Sequence, residues 1–397
     1  MTDSRPLRVA FPTVPSRLWA GGYNYQRNLF TALNVHCAGE ITPVVFAGNQ
    51  GDPAELAALS EIPGVEIVRS DAFDFDDRHS RVVGALVLGL DGRAAVEFRA
   101  QRIDAVFENA RFFGWRFPVP AIAWFPDFQH RRLPHLFSPA SRWRRDLGFR
   151  AQIVSGRHIM LSSESALGDL HEFYPRVGNG VSVVHFATRP EAAALGVNPA
   201  DVQAKYQLPA AYFYLPNQFW RHKNHQVVVD ALSILRERDR RVVVAASGSP
   251  SGPREDGHFD GVVRQVRERG LETNFRYLGI IPLQHVYALL RTSVALINPS
   301  RFEGWSTTVE EAKSFGVPLI LSDIDVHHEQ AGEAARYFGL DDPAALADHL
   351  WTALQTAAPP VARDPSPDLD RRVAAFAADF IVTVRTAIAL RGQATAL

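Results

Sequence analysis

Short apolar runs, rich in β-branched and aromatic residues, alternate along this chain with longer stretches whose apolar positions recur every three or four residues. Residues 7–11, 41–47, 65–68, 104–108, 120–125, 159–162 and 181–186 are of the first kind. They predict strands, most of them bounded by turn residues. Amphipathic stretches such as 25–34 lie between them. The series breaks at residues 188–211, which are rich in Ala and Pro and carry no strand pattern. A second series follows, with strands at 212–216, 241–247, 274–278, 294–298, 317–322 and 335–338. Helical stretches at 224–238, 262–269, 283–291, 307–315 and 343–355 separate them. Such alternation predicts mostly parallel sheets covered by helices. Two series predict an α/β chain with two Rossmann-like domains, 1–187 and 212–357, joined by a linker at 188–211 and facing a central cleft. Residues 358–397 read as a Pro-rich connector and a terminal helix. In that helix Val373, Phe376, Phe380, Val384 and Ile388 form one stripe.

Two carboxylates stand out against this frame. Glu303 and Glu311 lie eight positions apart, in the loop and helix that follow the expected strand at 294–298. In doubly wound sheets ligands sit at the carboxyl ends of strands. Glu303 at the loop mouth and Glu311 on the helix can bracket one ligand. The loop residues Gly304 and Trp305 and the helix start at Ser306 and Thr307 lie between them, and N–H groups at a helix start can bind an anion. A nucleotide sugar has that layout of polar sugar, diphosphate and ribose.

The string from Pro299-Ser300 through Glu303-Gly304-Trp305 to Glu311-Ala312 resembles the retaining glycosyltransferases of family 4, which have the GT-B fold. The resemblance implies that Glu303 lies by the donor sugar and that Glu311 hydrogen-bonds the ribose hydroxyls. It also implies that Gly279, at the end of another strand, offers a backbone edge to the base. It places the glycine pair Gly21-Gly22, after the first strand, near the donor phosphate and the acceptor. A plain turn explains that pair equally well. The terminal helix is expected to cross back to the first domain.

A second cluster, Gln218-Phe219-Trp220-Arg221-His222-Lys223, sits on a strand-to-helix turn where cations make an anion site. Fixed cations there stabilise a leaving nucleoside diphosphate as its charge grows. The family carries Arg five residues before the Lys. Here that position is Gln218, and Arg221 can supply the missing charge beside Lys223. A third cluster, Asp127-Phe128-Gln129-His130, ends the strand at 120–125. The resemblance puts His130 by the donor sugar or reacting centre and Asp127 by the acceptor hydroxyl. A histidine bonded to a backbone carbonyl and an Asp helix cap are the competing readings.

Composition narrows the partners. An apolar share of 46% permits real cores. A formal charge of −1 gives no sign of a nucleic-acid partner. Of 42 basic side chains only Lys205, Lys223 and Lys313 are lysines, so Lys223 is an exception in an arginine-rich chain. Cys37 alone cannot form an internal disulfide, which fits a reducing compartment, and a cytoplasmic location is expected. No run of 18 apolar residues is present and the first residues have no apolar core, so neither a membrane span nor a signal is expected. Residues 131–157 carry seven arginines with Phe137, Trp143, Leu147 and Phe149 among them. Two readings fit: a peripheral face for anionic lipid or a lipid-linked acceptor, or, the favoured one, a solvated basic helix with Trp143, Leu147 and Ala151 toward the core. No His/Cys/Asp cluster has metal-ligand spacing, and neither metal nor cofactor is expected.

The expected activity is therefore a retaining, hexosyltransferase-type transfer from a nucleotide-diphosphate sugar to a hydroxyl acceptor on a glycan or lipid. Family association points to cell-surface polysaccharide or lipopolysaccharide synthesis. The rivals are a nucleotide-sugar epimerase or phosphorylase on the same fold, and a non-catalytic nucleotide-sugar-binding subunit, which Gln218 keeps open.

Overall fold

The computed structural model describes residues 5–396 apart from 14, 75–77, 110, 251–256 and 358–360. Part of the Pro-rich connector therefore lies outside the described residues. The chain divides into two compact units, residues 1–187 with 370–397, and residues 188–369.

The first unit holds β1 (Leu7–Pro12), β2 (Ile41–Ala47), β3 (Glu66–Arg69), β4 (Ala105–Glu108), β5 (Ala121–Phe125), β6 (His158–Leu161) and β7 (Val181–Val183). They form one parallel sheet in the order β3-β2-β1-β4-β5-β6-β7. The second unit holds β8 (Phe213–Leu215), β9 (Val244–Ala246), β10 (Phe275–Tyr277), β11 (Leu296–Asn298), β12 (Leu319–Ser322) and β13 (Ala335–Phe338). Its sheet is also parallel, in the order β10-β9-β8-β11-β12-β13. Both are Rossmann-like sheets of the GT-B kind. Strand order reverses at β1/β4 in one and at β8/β11 in the other. Loops leaving β8 and β11 thus flank a topological switch point, the place where such sheets bind ligands.

The second sheet shows why its strands read as unbroken apolar runs. Phe213, Leu215, Val244, Ala246, Ile297 and Ile320 pack into one core. Tyr212, Tyr214, Ala245, Leu296, Leu319 and Leu321 pack into another. Successive side chains point to opposite faces and both faces are covered, so every position is apolar.

The linker expectation is corrected. Residues 188–211, expected as a linker, contain helices Ala192–Leu195 and Pro199–Lys205. Asn198 caps the second by accepting from the Ala200 amide at 3.1 Å, and Val202 and Leu208 join the core of the second unit. The terminal helix Leu369–Ala396 includes a stretch, Leu369–Gly392, long and apolar enough by length and composition to cross a membrane. Asp379 and Arg385 interrupt the apolar run in the sequence without removing that property. The helix is nonetheless a core element of the first unit. Phe380 stacks on Phe11 at 5.9 Å and meets Phe107 at 5.8 Å edge to face, while Phe376 meets Tyr25 at 5.6 Å.

Candidate active site

The turn after β8 and the loop after β11 are joined at three points. The Arg301 amide donates to the His222 carbonyl at 2.7 Å. Asn217 Nδ2 donates to Asn298 Oδ1 at 3.2 Å. Lys223 Nζ donates to Glu303 Oε1 at 2.6 Å, in an ion pair whose side chains are only 14% and 10% exposed. Lys223 closes a 3₁₀ turn, Arg221–Lys223, and Asn224 leaves it in the left-handed conformation at φ 54° before helix His225–Glu237 begins. Ser300 Oγ donates to the same Glu303 oxygen at 2.7 Å. Burial alone would raise the Glu303 pKa, but the Lys223 ammonium outweighs it and the carboxyl is pushed down to about 2. Glu303 is a fixed anion.

Glu311 behaves in the opposite way. It lies buried on helix Thr307–Lys313, and among the described residues no hydrogen bond or ion pair reaches its carboxyl group. Burial without a partner pushes its carboxyl up to about 8. Its neighbour Glu310 is the paired one, accepting from Lys313 Nζ and Gln330 Nε2, both at 2.9 Å. A buried carboxyl without a partner is costly unless a ligand completes it.

The other expected residues divide. Ser306 caps the helix: its hydroxyl accepts from Asn298 Nδ2 at 2.8 Å and its backbone is bonded twice to Gln330, so its polar groups serve the fold. Gly304, Trp305 and Thr307 are half-buried on the loop and helix start. Gln218 is exposed, and its side-chain Oε1 accepts from the Ser249 backbone amide at 2.7 Å, tying the turn after β8 to the loop after β9. Arg221 is exposed on the Lys223 turn. Gly279 carries φ +79° after β10 and accepts from the Gly248 amide at 3.0 Å.

In the first unit the expected glycine loop is helical. Gly22 lies inside Ser16–His36, just after a break at Trp19. A Cβ there would stand 2.5 Å from the Trp19 ring, which itself stacks on Trp124 at 5.2 Å. Close indole packing therefore requires this glycine. Asp127 Oδ1 accepts from the Gln129 amide at 2.9 Å and pairs with Arg145 at 3.5 Å, one residue before Phe128, the cap of helix Gln129–Arg132. His130 is buried among Phe149 and Phe137, and neither ring nitrogen has a hydrogen-bond partner. Burial, helped by Arg145, pushes its pKa down to about 4, so it stays neutral at ordinary pH.

Trp143 and Leu147, expected toward the core, are instead 68% and 36% exposed on helix Pro139–Val154. Phe149 and Ile153 of that helix pack with Phe125 and Phe128, and Gln152 is buried, donating to Glu108 at 3.3 Å. Among the described residues no group of three His, Cys, Asp or Glu side chains could hold a metal ion.

Sequence reasoning gave no individual role to Asn217, Asn298, Ser300 or His327. Asn298 is the last residue of β11 and fully buried. His327 is fully buried too, with Nδ1 2.9 Å from the Ser322 carbonyl, and Ser322 Oγ donates to the Ser300 carbonyl at 2.5 Å. A polar residue closing an apolar strand at the switch point was the available signal.

Residues 204–360 match the family described as Glycosyl transferases group 1. The O-antigen chain mannosyltransferase B of Escherichia coli is 35% identical over 103 residues, covering 25% of this chain and 26% of that protein. The D-inositol 3-phosphate glycosyltransferase of Corynebacterium efficiens is 24% identical over 212 residues, covering 51% and 50%. The chain thus spans half or less of the curated relatives it matches. A glycosyltransferase from Rickettsia africae superposes with a TM-score of 0.67 at 14% identity, covering 98% of each chain. Anabaena HepE in complex with UDP and glucose gives 0.62 at 14% identity, covering 98% of this chain and all of that one. These likenesses identify the fold.

Proposed function

We propose that this chain, which carries a glycosyl transferases group 1 domain at residues 204–360 on a GT-B fold, moves a sugar from a nucleotide-diphosphate donor to a hydroxyl acceptor with retention at the anomeric carbon. One observation carries the reading. At the β8/β11 switch point an ionised, lysine-paired Glu303 stands on the same short segment as a buried, unpaired Glu311. Glu311 is assigned to the ribose diol, which offers two O–H donors to an unpartnered carboxyl. Glu303 is assigned to the donor sugar. Lys223 and Arg221 are assigned to the diphosphate, where their charge favours the departing nucleotide more than the bound substrate. No metal is required in this scheme, because the cations of the turn supply the positive charge. Gly279 and the loop 304–307 are assigned to the nucleotide by their positions at strand ends. His130, neutral and sealed among aromatic rings, is a weaker candidate for sugar contact than Glu303. Asp127 remains assigned to the acceptor side.

Anabaena HepE is in complex with UDP and glucose, and a UDP-sugar is the first donor class to test here. The relative that acts on the O-antigen chain supports cell-surface polysaccharide synthesis as the pathway. A cytoplasmic site, at the inner face of the membrane, follows from an acceptor of that kind and is supported by the lone Cys37. The exposure of Trp143 and Leu147 among Arg142, Arg144, Arg145 and Arg150 supports a peripheral lipid-facing role for residues 131–157. Liposome flotation checks it. Binding to anionic vesicles that is lost in Trp143→Ala is expected, and absence of binding by the parent chain removes the membrane contact.

The activity is tested by incubating the chain with nucleotide sugars alone, with phosphate, and with hydroxyl acceptors. Acceptor-dependent release of the nucleoside diphosphate is expected. Epimerised donor without acceptor, or phosphate-dependent turnover, would mark the rival enzymes. Donor binding without turnover on any acceptor would mark a binding subunit.

A further inference from the structure

The Asn298 amide is fully buried and bonded on both sides. Its Nδ2 donates to Ser306 Oγ at 2.8 Å and lies 3.4 Å from Glu303 Oε1. Its Oδ1 accepts from the Ser300 amide and from Asn217 Nδ2, both at 3.2 Å, and from Ser300 Oγ at 2.6 Å. The Ser300 backbone N–H can only donate, so it fixes which side of the amide carries oxygen. One side chain therefore ties the turn after β8, the Glu303 loop and the cap of the Glu311 helix together.

The Ser300 hydroxyl has one proton and two acceptors, Asn298 Oδ1 at 2.6 Å and Glu303 Oε1 at 2.7 Å. Asn298 Oδ1 keeps two other donors when that proton turns to Glu303. The neutral amide thus releases Ser300 to Glu303 and presents an N–H edge, not a second charge, toward the carboxylate. An aspartate of the same shape would do neither. It would compete for the Ser300 proton and place an anion beside Glu303, opposing the Lys223 pair.

We propose that Asn298 is a positioning residue for sugar transfer, holding the Glu303 carboxylate and its Lys223 partner in the orientation that turnover needs. The proposal rests on the donor-site reading above. A purely space-filling role and a positioning role rank two variants in opposite order. If Asn298 only fills space, Asn298→Asp is the milder change and Asn298→Ala, which leaves a cavity, the harsher. If it positions Glu303, Asn298→Asp is the harsher.

The experiment is steady-state transfer by the full chain and both variants, at a temperature where circular dichroism shows each folded. The expected result is a fall in kcat of about 100-fold for Asn298→Asp and about 10-fold for Asn298→Ala, with donor KM within about threefold, since a misplaced group costs on that scale. Asn298→Asp at or above the Asn298→Ala rate overturns the proposal. Where Asn298→Asp does not fold, Asn298→Ala decides, and a kcat within about threefold of the parent overturns it. A parent chain that transfers no sugar overturns the donor-site reading instead. Carbon-13 NMR titration of Glu303, which faces Lys223, Ser300, Asn298 and His327, then reads the positioning directly. A higher titration midpoint in the foldable variant supports the proposal and an unchanged midpoint overturns it.

Discussion

Glu303 and Glu311 are the same residue type, eight positions apart, yet their surroundings push their carboxyl pKa values in opposite directions. The difference comes from partners: Lys223 for one and none for the other. Their spacing was visible in the sequence, and so was the oddity of a lysine at 223. Their pairing was not, because Lys223 lies 80 residues before Glu303 and only the β8/β11 adjacency brings them together. Glu311 makes a prediction that depends on sign. Its pKa is raised from an ordinary 4.5 to about 8, so the folded chain holds more protons than the unfolded one between those values. Its contribution to stability is full below about 4.5 and is lost as pH rises toward 8. Glu311→Gln should flatten the fall in Tm between those pH values, read by differential scanning fluorimetry. An unchanged slope would mean Glu311 is ionised or solvated. If the ribose binds Glu311, it favours the ionised form, so donor binding should also release a proton in the parent and none in the variant.

At the scale of elements, the strands were legible because both sheet faces are covered, leaving continuous apolar runs. Ile41–Ala47 and Ala335–Phe338 have the ends expected from pattern alone. Helices Ala192–Leu195 and Pro199–Lys205 were not legible, since four and seven residues give too little periodicity to register. The glycine pair misled for a related reason. Glycine reads as a turn, but here the Trp19 ring lies against Gly22 inside a helix. Gly248 shows the same kind of demand in the loop after β9, against the turn that carries Lys223. It has φ +148°, and a Cβ would stand 2.4 Å from the Asn217 carbonyl. Gly248→Ala should therefore cost more than about 1 kcal/mol and shift the turn that carries Lys223. Urea unfolding and donor affinity should both weaken. Parent-like values in both would show that the loop yields at no cost.

Across the whole chain, the matched domain and the Lys223–Glu303 pair lie in the second unit, while the last helix belongs to the first. That helix is long and apolar enough to cross a membrane, yet its stripe is filled by ring contacts within the first unit. Phe380→Ala should destabilise that unit by about 3–5 kcal/mol, as a large buried aromatic does when removed. A lowered thermal transition for the first unit with the second unmoved would be seen by calorimetry, and no shift would contradict the packing. Single truncations at the Lys223–Glu303 pair carry a different risk. Removing Lys223 leaves a buried Glu303 charge unpaired, which unfolds as readily as it inactivates. Glu303→Gln keeps the shape and is the cleaner probe. The most direct test is acceptor-dependent transfer by the parent chain and by Glu303→Gln, with donor affinity and Tm measured in parallel. The account predicts transfer by the parent, little change in donor affinity, and a loss of turnover in the variant of about 100-fold or more, the scale on which a lost orienting group slows a reaction. Parent-level transfer by Glu303→Gln would contradict it.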